Sequence, residues 1–147
     1  MNSEEQGCRW TFLGFESLGE GQPVQFWFDK LTEEHRDEIK DVLAFLQVTP
    51  RAEWEELPGH PFDPLIGEGG ISEIRFKPIK CLRGIFYYRI YGFFGARQEE
   101  SYKFLHGTNK KVKNDRHGKK IAKRRLLEIQ EKKATLHKFS LDKEISS

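Results

Sequence analysis

The 147-residue chain has little of what staples a protein or carries it across a membrane. It holds two cysteines and one methionine, and no apolar run approaches the roughly 18 residues of a spanning helix. Cys8 and Cys81 cannot build a four-ligand metal cage and need not pair, which suits a reducing compartment better than a disulfide framework. The five histidines, at 35, 60, 106, 117 and 137, show no HxH, HxxxH or HExxH spacing, and CxxC is missing, so no metal site is expected. GxGxxG, GxxxxGKS/T and GxSxG are missing too, which removes the starting points for a phosphate loop and for serine-hydrolase chemistry; no cofactor is expected. The opening Met1-Asn2-Ser3-Glu4-Glu5 is acidic, the reverse of a secretory signal, so the expectation is a soluble cytoplasmic protein with no membrane partner.

What is present points to one folded domain. Aromatic residues make up 13% of the chain, with 12 Phe and 3 Trp, whereas disordered chains are aromatic-poor. The net charge of +2 conceals a strong asymmetry: residues 1–68 hold 5 Lys/Arg against 15 Asp/Glu, and residues 69–133 hold 18 against 6. A basic half of this kind suits a polyanion, because cationic patches supply most of the non-specific attraction to phosphate. The alternative is that the two halves neutralise each other through solvated faces.

Arg9 to Phe15 is rich in β-formers and reads as a first strand, followed by a short helix over Val24 to Leu31. Thr32 is placed as an N-cap with Glu33 and Glu34 in the first turn, and Ile39, Val42, Leu43 and Leu46 follow at helical spacing. Pro50 ends that helix; Pro58, Pro61 and Pro64 mark an irregular connection that Trp54 and Phe62 pin to the core. Three strands then form an antiparallel meander over Ile71–Lys77, Ile85–Phe94 and Ser101–His106, and a basic helix runs from Lys119 to Lys132. Its apolar side carries Ala122, Leu126 and Ile129, and its other side Lys119, Lys120, Lys123, Arg124 and Arg125. The order predicts an α+β fold: a small antiparallel sheet with a helical hairpin and a C-terminal helix packed on one side of it. Residues 1–8 read as a flexible N-terminus, 9–133 as a single domain and 134–147 as a weakly patterned tail.

Alternation places Arg75 and Lys77 on one face of their strand and Arg89, between Tyr87 and Tyr91, on the polar face of the next. Cations beside aromatic rings on a sheet suit single-stranded RNA, whose phosphates need charge and whose bases need stacking surface. His106 falls at a strand end, with Lys110, Lys111 and Lys113 in the loop beyond. An ordinary basic surface would show the same composition.

Three pieces, Glu73-Ile74-Arg75, Tyr88-Arg89-Ile90-Tyr91 and Phe104-Leu105-His106-Gly107 leading to Lys110-Lys111, followed by the basic helix, resemble the RelE/HigB-type toxins of bacterial toxin–antitoxin modules, in the phage-derived branch of the RelE/ParE superfamily. With the strand and helical hairpin before them, the resemblance spans about residues 9–133. It implies a RelE-like fold and an mRNA interferase: a ribosome-associated endoribonuclease that cuts messages without metal and inhibits translation. The partners implied are mRNA, the ribosome and a cognate helix-turn-helix antitoxin, with a homodimer or a toxin–antitoxin complex as the assembly. Carried over by position, Arg75 and Arg89 grip the scissile phosphate. Lys110 or Lys111 acts as proton donor or clamp, and His106 exchanges protons near neutral pH. Tyr91 stacks on a base, and Lys77, Tyr87, Lys113, Lys119, Lys123 and Arg124 complete the RNA-binding set. The chain departs from the family in two places: the threonine and proline that usually follow the lysine pair are missing, and Pro78 to Gly84 is longer than a tight hairpin. The alternatives are a catalytically silent RNA-binding or interaction module on the same fold, and a ParE-like toxin acting on a protein target.

Overall fold

A computed structural model describes residues 10–95, 99–111 and 114–142. The first strand, β1 (Thr11–Glu16), leads through a short loop to α1 (Pro23–Asp29), where proline occupies the opening position its fixed φ favours and Val24 and Phe28, one turn apart, are both buried. In α2 (Glu33–Gln47) the Thr32 hydroxyl accepts from the His35 amide at 3.3 Å, Glu33 and Glu34 meet the positive end of the helix dipole, and Ile39, Leu43 and Leu46 face inward. A 3-10 turn (Arg51–Glu56) follows, then β2 (Phe62–Pro64), β3 (Ser72–Arg75), β4 (Ile79–Cys81), β5 (Gly84–Phe93) and β6 (Ser101–Lys110). The last elements are α3 (Arg116–Gln130) and β7 (Thr135–Lys138).

The protein is α+β, with a seven-stranded sheet in the order β2-β3-β5-β6-β1-β7 and β4 paired to β5 beside that path. All pairings are antiparallel except β1 with β6, which run parallel. Alternation along β5 and β6 sends Ile90 and Phe104 to one face and Tyr91 and Leu105 to the other. The first face packs Phe12, Ile74, Ile90, Tyr102 and Phe104 against α1 and α2; the second packs Ile71, Tyr91 and Leu105 against Ala122 and Leu126 of α3. Helices therefore cover both faces, not one as the sequence reading expected. The reason lies in β5 and β6, whose residues are apolar on both faces and must be covered twice.

Three further differences bear on function. The stretch after Ala134, read as a weakly patterned tail, carries a strand: β7 pairs with β1, and Phe139 packs its ring edge against Phe104, 4.8 Å between centroids. The connection Pro78–Gly84 is a small hairpin arm, with β4 paired to the start of β5. And β6 runs on to Lys110, so His106 lies inside a strand rather than at its end. A bulge at Tyr91/Gly92 shifts the β5–β6 register and keeps both long strands paired. Residues 1–9, and so Cys8 and the N-terminal segment assigned to 1–8, lie outside the described residues. No helix among the described residues is long and apolar enough to cross a membrane.

Candidate functional site

The β3–β5 register sets Arg75 directly opposite Arg89 and Glu73 opposite Tyr91. Two guanidinium groups facing each other repel, and something must offset that. Glu73, two residues from Arg75 on the same face, does so: its carboxylate lies 3.6 Å from Arg75 Nε and 4.0 Å from Arg89 Nε. Asp63 of β2 adds a contact at 3.9 Å to Arg75. These carboxylates balance the repulsion between the two guanidinium groups. Burial pushes the Glu73 pKa up, and the neighbouring charges of Arg75 and Arg89 pull the other way without cancelling it. Arg89 is buried, whereas the Arg75 side chain is 42% exposed and available to an incoming anion. Arg89 also lies over the half-buried Tyr87 ring, 5.8 Å from its centroid.

The next two strand positions behave differently from expectation. Tyr91 is fully buried and cannot stack on a base: its hydroxyl donates to Asp115 Oδ2 at 3.2 Å, and its ring lies parallel to His106 with centroids 6.3 Å apart. Asp115 is also the N-cap of α3, accepting from the Gly118 amide at 3.0 Å. A Cβ at residue 118 would stand 2.1 Å from Asp115 Oδ2 and 3.0 Å from the Tyr91 ring, which explains the glycine. Lys110 reaches the same carboxylate at 3.8 Å.

His106 was expected to exchange protons near neutral pH, and its surroundings prevent that. Burial, followed by the positive charge of Arg125, holds its pKa down to about 4. Arg125 Nη1 lies 3.3 Å from Nδ1, and because guanidinium only donates, Nδ1 accepts and the neutral ring carries its proton on Nε2. The same Nη1 donates to the Leu105 carbonyl at 2.8 Å, and Nη2 to Glu20 at 2.9 Å. Since the folded-state pKa is depressed, His106 contributes stability that is complete above about 6.5 and lost as pH falls toward 4. Wild-type protein is therefore expected to lose on the order of 2 kcal/mol more than His106→Asn between pH 7 and 4.5. Urea midpoints at the two pH values measure it, and parallel losses in both proteins would show that His106 is not the group responsible.

The remaining basic positions divide into paired and unpaired. Lys123 meets Glu68 at 2.6 Å; Arg124 forks onto both oxygens of Glu20 at 3.1 Å and touches Glu128 at 2.7 Å. The two arginines hold the Glu20 pKa down to about 2. Lys77 and Lys111 are exposed and Lys119 half-buried, with no ion pair among the described residues; Lys111 rests 5.6 Å over the Phe86 ring. Lys113 lies outside the described residues. Folding thus neutralises part of the basic half with carboxylates from the acidic one, Glu20 and Glu68.

Several residues of the site escaped the sequence reading. Arg125 was assigned to the polar side of α3, yet it is buried; its position, three after Ala122 and four before Ile129, was the available signal. Glu20, between two loop glycines, offered none. Arg75, Arg89, Lys77, Tyr87 and Glu73 line one side of a cleft of about 960 Å³ whose other side includes Val42, Phe45, Leu57, Phe76 and Tyr88. No cluster of three or more His, Cys, Asp or Glu side chains is placed to hold a metal ion among the described residues. Compared with known protein families, with curated proteins and with solved structures, the chain has no match.

Proposed function

We propose that the protein is a RelE/HigB-type toxin: a metal-free endoribonuclease that cuts messenger RNA at the ribosome, acts in the cytoplasm and is restrained by a helix-turn-helix antitoxin. The observation that carries the reading is the Arg75–Arg89 pair, two cations set face to face across adjacent strands and lining one cleft. Two guanidinium groups lining one cleft suit an anion, and a phosphate diester is one that guanidinium forks fit. In the proposed step the 2′-oxygen attacks the adjacent phosphorus, the P–O5′ bond breaks, and a 2′,3′-cyclic phosphate and a 5′-hydroxyl result. The 2′-hydroxyl gives up its proton to water, and the leaving 5′-oxygen takes one. Arg75 and Arg89 hold the phosphate and stabilise its developing charge. Lys110 and Lys111, at and just past the end of β6, supply the proton or clamp the strand. His106, neutral and protonated on Nε2, acts as a hydrogen-bond donor rather than a neutral-pH acid–base group.

One observation favours a second reading, a silent RNA-binding module on the same frame. Neither His106 nor Tyr91 is placed to pass protons at neutral pH. A cell-free translation reaction, with cuts mapped by primer extension and EDTA-treated naked RNA as control, separates the two. Cuts in the translation reaction and none in the naked RNA are expected; no cuts from folded protein would replace the nuclease with the binding module.

A further inference from the structure

The cleft beside the arginine pair has two unlike sides. Arg75, Lys77 and Arg89 bring three cations to one wall, with Glu73 the one carboxylate among the lining residues. The opposite wall is apolar and aromatic: Phe76 and Tyr88 form a floor that is 7% and 4% exposed, while Phe45 of α2 stands 54% exposed at the edge. Tyr88 is held in place, its hydroxyl 2.9 Å from His35 Nδ1 and the His35 ring against it edge-on. The rim crosses Pro58, His60 and Pro61, and His60 carries a φ of 49°, a left-handed conformation rarely taken by a non-glycine residue.

A free anion would gain nothing from the aromatic floor, and an uncharged apolar ligand would gain nothing from the cations. The occupant that uses both is planar and apolar at one end and anionic at the other. Two opposed guanidinium groups suit a phosphate, whose non-bridging oxygens guanidinium forks bind bidentately. A cleft of about 960 Å³ is of the size that encloses a small organic ligand. We infer that this cleft binds one nucleotide of RNA, its base against Phe45, Phe76 and Tyr88 and its 3′-phosphate on Arg75 and Arg89. The identification of the nucleotide as part of an RNA substrate rests on the function proposed above; the two-sided recognition does not.

Binding of the four nucleoside 3′-monophosphates to the full chain, measured by calorimetry beside inorganic phosphate and adenosine, tests it. At least one nucleotide is expected to bind tighter than either half-ligand. Phe45→Ala, at an exposed helix position where alanine preserves the helix, should weaken that nucleotide about tenfold and leave inorganic phosphate unchanged. Arg75→Ala should weaken both by about tenfold or more. Nucleotides that bind no tighter than phosphate, or that ignore Phe45→Ala, would overturn the inference. So would N-acetyl-phenylalanyl-aspartate binding as tightly as any nucleotide, which would give the cleft to an acidic peptide. The two proposals fail separately. Translation-dependent cuts without Phe45-dependent nucleotide binding remove only the cleft; nucleotide binding without cuts removes only the nuclease.

Discussion

Alanine at Arg75 is expected to lower translation-dependent cleavage by ~100- to 1000-fold, the usual cost of removing a charge partner from a phosphoryl or acyl transition state. The fold should survive it. Arg75 sits at the end of β3 with its side chain 42% exposed, and its contacts to Asp63 and Glu73 are long. Exposed pairs of that kind contribute ~1 kcal/mol at most, and the substitution also relieves the repulsion from Arg89. The parallel variant Arg89→Ala is a poorer probe. Arg89 is 6% exposed, and its loss removes one of the two guanidinium groups that face the buried Glu73, so lost cutting would be mixed with lost stability. Arg89→Lys keeps a charge without the fork and should fall between. Primer-extension rates together with urea midpoints decide the matter: wild-type cutting by a folded Arg75→Ala protein would take the arginine pair out of the site.

Trp54→Ala is expected to cost about 3–5 kcal/mol, a large share of the roughly 5–15 kcal/mol that holds an ordinary domain together. Trp54 is fully buried in an aromatic cluster, with ring centroids 5.7 Å from Trp10, 5.4 Å from Phe62, 5.1 Å from Phe94 and 5.7 Å from Tyr102. Its indole N–H donates to the Thr49 carbonyl at 2.8 Å. The cluster anchors the segment from residue 51 to β2, which carries the Leu57–Pro61 wall of the cleft, so the variant should also lose nucleotide binding. Trp54→Phe separates packing from hydrogen bonding. It keeps most of the ring contact, and the Thr49 carbonyl still accepts from Trp10 Nε1 at 3.2 Å, so this change should cost much less. Urea denaturation measures both. A loss below ~1 kcal/mol for Trp54→Ala would mean that the cluster is not a true core.

Much of the frame was legible from local pattern. Thr32, the two glutamates after it and the spacing of Ile39, Leu43 and Leu46 marked α2 because capping and helical periodicity act within a few residues. Alternation along β5 assigned Arg89, with Tyr87 and Tyr91, to the polar face, and the same rule applied to β3 gave Arg75 its face. The α+β class came from the order of these elements.

What the pattern could not carry was which distant segment covers each face. Tyr91 and Arg89 read alike as polar-face residues of one strand. Only the docking of α3 onto that face turns the first into a buried partner of Asp115. His106 reads as a free acid–base group until Arg125 and Glu20, on elements far apart in the chain, close over it. The tail reads as loose until β1 offers β7 an edge to pair with. Periodicity within an element reports whether a position faces apolar surroundings, because it follows from backbone geometry alone. A titratable side chain's protonation and reach depend on desolvation and on charges brought from elsewhere, and those exist only once the chain has folded.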